Sequence, residues 1–279
     1  MGGPLRKILT VTLAVLLVAG LVGCSSKRPT RGKMVTNKPL IAANYRAKGI
    51  PAAYGDVDPV EWGALAPSRY AVHGIDAARY QGEINWPQVK AAGIKFAWLK
   101  ATEGGDHLDP GFEINAPRAR AAGVPVGAYH FYYFCRSPRE QAEWFIANVP
   151  RRAGDLPPVL DMEWNHLSRS CKHRPDAPTV RENIRIFSSV VAAHYGTAPV
   201  VYVTPDFYED NALGQLRSTE FWLRSVAAHP SERYPNERWT FWQYTGSGVV
   251  PGVNGKVDIN AFAGSLDSWV KWYGARRQQ

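Results

Sequence analysis

Residues 157–164 read PPVLDMEW. Two prolines precede a short apolar run, Val159 and Leu160, and the run leads into Asp161 and Glu163 with a single Met between them. A short apolar run behind a turn signal is the mark of a buried strand. Side chains alternate along a strand, so Asp161 and Glu163 face one way and Met162 the other. Two residues of strand rise separate the acids by roughly 6 to 7 Å at the backbone. Like charges that close raise at least one pKa, which favours one protonated carboxyl near neutral pH. D-x-E alone is a common strand ending, so its meaning depends on what the rest of the chain brings to the same place.

Similar segments recur from residue 72 onward: VHGIDA, IKFAWLKAT, VPVGAYHFYYF, PPVLDME, APVVYVT, EFWLRSVA, RWTFWQYT and KVDINAF. Helix-like stretches separate the early ones. Residues 85–93 have Pro87 near the start and Gly93 at the stop, 109–123 end in Gly123, 137–149 open on Ser137 as N-cap, and 177–196 end in Gly196. Strand and helix alternate through the first five strands, and the last strands follow with little helix between them. That order predicts parallel strands with right-handed crossovers. Eight of them predict an α/β fold, an irregular (β/α) TIM-like barrel with eight strands and a reduced set of outer helices, over residues 68–279. At 279 residues and 45% hydrophobic content the chain can bury a sizeable core. It shows no long-period repeat of the kind that builds a solenoid.

Residues 1–23 stand apart. Arg6 and Lys7 precede an uncharged run, ILTVTLAVLLVAGLVG, of signal-peptide rather than membrane-span length. It ends in LVGC, which resembles the bacterial lipobox, and the resemblance implies cleavage before Cys24 and lipidation of Cys24. The expected protein is exported, lipid-anchored to a bacterial membrane and facing the periplasm or cell wall. Several acyl chains on one Cys hold stably where one does not. Residues 24–67, rich in Pro, Gly and basic side chains, read as a tether whose later part can pack on the domain.

Loss of Arg6 and Lys7 lowers the formal charge from +9 to +7, so the mature chain stays basic. No basic helix or zinc module suggests nucleic acid, and an anionic wall polymer or membrane surface is the expected partner. With Cys24 lipidated, Cys135 and Cys171 remain as a pair in an oxidising compartment, where a disulfide is the default. Such a bridge is worth about 3 to 4 kcal/mol on the chain-entropy model. His166 and His173 lie near Cys171, but their spacing fits no standard zinc pattern. Neither metal nor cofactor is expected, and the chain reads as a monomer.

In such a barrel the chemistry gathers at the C-terminal ends of the strands. Asp76 ends the first strand, Glu103 follows the second, and Tyr129 and His130 lie in the third. Asp161 and Glu163 end the fourth, Gln243 and Tyr244 end the seventh, and Asp258 lies in the eighth. A protonated carboxyl beside ionised ones is the working requirement of glycoside hydrolysis. His130, inside AYHFYYF, reads as a packed, hydrogen-bonded ring rather than a proton carrier.

From about residue 72 to 272 the chain resembles the family 25 glycoside hydrolases, lysozymes that cleave peptidoglycan on its muramic acid side. The likeness rests on GIDAARYQGEINW (74–86), KATEG (100–104), GAYHF (127–131), PPVLDME (157–163), WQYTG (242–246) and VDIN (257–260). It implies Glu163 as general acid, and Asp161 as the carboxylate that orients the substrate acetamido group or steadies its oxazolinium charge. It implies that Asp76 and Asp258 position partners, hold Glu163 in its working protonation state, or activate water. Glu103, Tyr129, Tyr202, Trp242 and Gln243 would line the sugar groove. Ala78 stands where the family often has Ser, and the region of Cys135 and Cys171 reads as an elaboration over the groove. Substrate-assisted retention is favoured over inversion by an activated water. A rival function is a non-catalytic peptidoglycan-binding lipoprotein, against which the four acids count. A chitinase-type D-x-x-D-x-D-x-E signature would need Asp at 156 and 159, where Leu156 and Val159 stand.

Overall fold

The computed structural model describes residue 2 and residues 43–279. The apolar run, Cys24 and the start of the tether lie outside the described residues. The strands are β1 (Gly55–Asp56), β2 (His73–Ala77), β3 (Phe96–Glu103), β4 (His107–Leu108), β5 (Val126–Phe131), β6 (Val159–Met162), β7 (Val200–Val203), β8 (Phe221–Arg224), β9 (Phe241–Val249) and β10 (Val257–Phe262). Eight of them close a barrel in the order β2-β3-β5-β6-β7-β8-β9-β10, with β10 returning to β2. Each of the eight apolar segments supplies one barrel strand. The two-residue strands β1 and β4 pair with β9 and β3 and are too short to leave a sequence pattern.

One expectation needs correction. Neighbours from β2 round to β9 are parallel, but β10 runs antiparallel to both β9 and β2. Only residues 250–256 separate β9 from β10. A parallel return needs a crossover of a dozen or more residues, whereas an antiparallel one needs only a short turn.

The outer layer holds α1 (Trp86–Ala92), α2 (Pro110–Ala121), α3 (Pro138–Asn148) and α4 (Ala177–Tyr195), followed by the shorter α5 (Pro205–Asp210) and α6 (Pro230–Arg233). The side chains of Asn85, Asp109, Ser137 and Asp176 each accept a backbone N–H in the first turn of α1 to α4, where a Pro follows. Gly93 and Gly196 end α1 and α4 in the left-handed region. Sequence periodicity did not single out the last helix, α7 (Leu266–Arg276). Its Trp269 plugs the N-terminal mouth of the barrel, stacked 5.1 Å from Phe96 and edge-on to Phe262 at 5.5 Å.

Three apolar layers hold this together. Inside the barrel, Trp98 and Trp222 stack at 5.0 Å above Phe96, Phe241 and Trp269. Gly74 and Gly127 make room for them, since a Cβ at either would lie 2.3 Å from the Phe96 ring or 2.5 Å from the Trp98 indole. Outside, one layer packs α3 and α4 on β5 to β8 and includes Met162, while the other packs α1 and α2 on β2, β3, β9 and β10. Ile50 and Tyr54, in the later part of the 24–67 stretch, are buried in that second layer. The barrel is therefore closed and filled at the N-terminal mouth, and among the described residues room for chemistry opens at the other end.

Candidate active site

At the C-terminal mouth a cavity of about 550 Å³ opens, lined by Asp76, Glu103, Tyr129, Asp161, Glu163, Tyr202, Gln243 and Asp258. Alternation explains how they meet. Asp76 and Asp258 are directly opposed across the antiparallel β2·β10 pair, and Asp161 is in register with Tyr202 across β6·β7. Glu163 stands one residue beyond β6, its side chain on the side that Asp161 takes.

The two pairs of acids are held differently. Asn260 Nδ2 donates to Asp76 Oδ1 at 2.7 Å, and Gln243 Nε2 donates to Asp76 Oδ1 and Asp258 Oδ2, both at 3.2 Å. Those amides are themselves fixed, because Tyr202 OH donates to Gln243 Oε1 at 2.9 Å and Trp222 Nε1 to Asn260 Oδ1 at 2.8 Å. Asp161 has no such clamp: its Oδ1 is buried with no hydrogen-bond partner among the described residues.

Burial dominates the electrostatics, since every carboxylate here has left bulk water. It pushes the Glu163 carboxyl up to about 7; Arg224 and Lys100 oppose the shift, and Asp206 and Asp76 add to it. Burial and then the Glu163 charge hold Asp161 well above the carboxylate range. Asp258 is raised by burial and by Asp76, to which it can donate a shared proton. Asp76 is raised by burial against the hydrogen bonds of Asn260, Gln243 and Asp258. The mouth can thus present protonated and ionised carboxyls side by side at neutral pH.

A profile of glycosyl hydrolases family 25 matches residues 75–253. The chain belongs to glycosyl hydrolase family 25. Lysozyme M1 of Streptomyces globisporus is 37% identical over 205 residues, covering 70% of this chain and 68% of that protein. Among solved structures, a family 25 glycosyl hydrolase from Bacillus anthracis aligns with a TM-score of 0.67 at 34% identity, over 73% of this chain and 94% of that one. The bacterial lysozyme from Streptomyces coelicolor aligns with a TM-score of 0.65 at 35% identity, over 74% and 98% of the two chains.

Within this family 25 hydrolase one expected groove residue is elsewhere. Trp242 is buried on the outside of the barrel, its Nε1 donating to Ser225 O at 2.8 Å and its ring packed against Trp62 and His229. Neighbours in a strand cannot share a face, so with Gln243 inward Trp242 must point outward. Tyr244 follows Trp242 into the outer layer, where its hydroxyl meets His73 Nδ1 at 3.1 Å. Glu103 lies at the rim of the cavity, where burial would raise its carboxyl but hydrogen bonds from Lys100 and Tyr133, each 2.5 Å, outweigh it and hold it low. His130 is buried between Thr102 and Gln141 and stacked on Phe187, and burial pushes it down to about 4.

Sequence reasoning did not single out Asn260, Trp222, Lys100 or Tyr133. Asn260 had a signal: it shares the inward face of β10 with Asp258, two residues before it. Trp222 reads from sequence as core, and only the closed barrel shows that its N–H reaches the acid network. Cys135 and Cys171 form a disulfide with Cα atoms 5.7 Å apart, tying the loop after β5 to the loop after β6. That second loop, through Trp164, Asn165, His166, Leu167 and Ser168, forms one wall of the cavity.

Proposed function

We propose that this hydrolase is an N-acetylmuramidase that cleaves the β-1,4 bond between N-acetylmuramic acid and N-acetylglucosamine in peptidoglycan. The observation that carries the reading is Glu163 at the cavity, its carboxyl pushed up to about 7, beside Asp161 with a buried acceptor oxygen free of any partner among the described residues.

Glu163, protonated, gives its proton to the leaving glycosidic oxygen as the bond to the anomeric carbon breaks. The acetamido oxygen of the same sugar attacks that carbon, and Asp161, which does this in its ionised form, accepts the acetamido N–H and offsets the oxazolinium charge. Glu163, now a carboxylate, takes a proton from the incoming water, which opens the ring with net retention. Asp76, Asp258, Gln243 and Asn260 form the rigid floor that keeps the site negative as positive charge develops. Tyr129 and Tyr202 shape the inner wall, and Glu103 with Lys100 and Tyr133 the rim. The lipobox-like LVGC supports export and anchoring through Cys24, which would keep the barrel beside its wall substrate.

The test is to incubate purified peptidoglycan with the wild type and with Glu163→Gln, count new reducing ends, and identify the fragments by mass spectrometry. Muramic acid at the new reducing ends is expected from the wild type. Equal release by the two proteins would favour a wall-binding protein without chemistry.

A further inference from the structure

We infer that the disulfide-fastened wall of the cavity is a subsite for the carboxylates of the peptide stems that muramic acid units carry. The inference rests on the muramidase reading and names a second part of the substrate.

The wall is residues 164–176, WNHLSRSCKHRPD, between β6 and α4. A small second hollow of about 20 Å³ adjoins the main cavity, sharing Tyr133, Trp164 and Asn165 with it, and is closed by Cys171, Lys172, His173 and Arg174. A strip of cations therefore begins where the catalytic cavity ends.

Those cations lack carboxylate partners among the described residues. The segment holds Arg169, Lys172 and Arg174 against one acid, Asp176, which accepts the Thr179 N–H at 2.9 Å as the cap of α4. None of the three cations forms an ion pair with a carboxylate among the described residues. Arg174 lies 4.8 Å over the Trp164 ring and 2.8 Å from His166 Nδ1, which spreads its guanidinium along the wall. Two acids flank the wall: Asp206, half-exposed, is 3.7 Å from His166, and Asp210 accepts from Trp164 Nε1 at 2.8 Å. Of the other cations that line the cavity, Lys100 is paired with Glu103, while Arg79 is bonded to Tyr80 and His107 and, like Arg174, pairs with no carboxylate among the described residues.

The strip is also held in place. The disulfide fixes Cys171, next to Lys172, and Trp164 packs 4.7 Å from Phe207 and 5.3 Å from Phe134. Cations on a wall already ordered lose little further freedom on binding. A glycan whose lactyl carboxylates are tied up in amide bonds offers them nothing to pair with. A stem peptide, joined to the muramic acid lactyl group, brings free carboxylates to the edge of the bound sugar.

The experiment compares kcat/KM of the full chain on glycan strands bearing stems, on the same strands stripped of stems by an amidase with the lactyl carboxylates so exposed then amidated, and on strands whose stem carboxylates are amidated. Stem-bearing strands are expected to be preferred to both others. In Lys172→Ala/Arg174→Ala that preference ratio is expected to fall by about three- to tenfold, the size of two exposed ion pairs, and 0.5 M salt is expected to shrink the wild-type ratio in the same way. Lys172→Arg keeps the ratio. A ratio unchanged in the double variant, or amidated stems handled as well as charged ones, overturns the subsite. A wild type that opens none of the three strands overturns the muramidase reading, and the subsite with it.

Discussion

The mouth of the barrel holds two pairs of acids, built alike by alternation and held in opposite ways. Asp76 and Asp258 face each other across an antiparallel pair and are clamped by Gln243 and Asn260, which Tyr202 and Trp222 hold in turn. Asp161 and Glu163 leave a parallel strand, and Asp161 Oδ1 has no partner among the described residues. Unpaired buried polar atoms are costly. The fold therefore spends stability at the second pair and recovers it at the first. The difference teaches a division of labour: one pair is scaffold, and the other is left for substrate.

Breaking the free pair should cost chemistry. Glu163→Gln is expected to lower kcat by about 10²- to 10⁴-fold, the usual worth of a general acid, with KM little changed. Reducing-end assays check it. Breaking the clamp should cost stability instead. Asn260→Ala leaves Trp222 Nε1 without its acceptor and removes a donor to Asp76, and is expected to destabilise by about 1 to 3 kcal/mol in urea unfolding. Asp161→Asn, at an atom with no partner to lose, should unfold no more readily than the wild type.

The free pair also makes a pH-dependent stability prediction. Glu163 is raised in the fold, so its contribution is fully present below the unfolded pKa, near 4.3, and is lost as pH rises through about 7. Glu163→Gln carries no such loss. It should be more stable than the wild type at pH 8, by about 1 to 3 kcal/mol, and the gap should close toward pH 5. A thermal-unfolding series across pH checks this. The smallest effect is expected at Trp242→Phe, which loses the bond to Ser225 O and about 1 kcal/mol of stability while KM stays within about twofold. A large rise in KM would return Trp242 to the groove.

Much of this was legible before any coordinates. The eight apolar segments, the N-caps at Ser137 and the glycine stops at Gly93 and Gly196 follow from local rules, and those rules placed every barrel strand. The acids at strand ends were visible for the same reason. The reversal of β10 was not, because direction depends on the length of the 250–256 connection rather than on the strand's own residues. Helix α7 was missed because Trp269, Trp272 and Tyr273 are held by a barrel mouth that only the closed fold creates. Trp242 was placed in the groove on the resemblance, against the alternation that Gln243 sets, and the same alternation, applied to Asp258, would have found Asn260.

The central claim is that Glu163 works as an acid because burial keeps it protonated near neutrality. The pH dependence of kcat/KM on peptidoglycan, which reports the free enzyme's essential groups, tests it most directly. Activity should fall as pH rises along a limb centred near 7, where Glu163 loses its proton. A profile flat to about pH 9, or a limb already complete in the ordinary carboxylate range near 4 to 5, would contradict it.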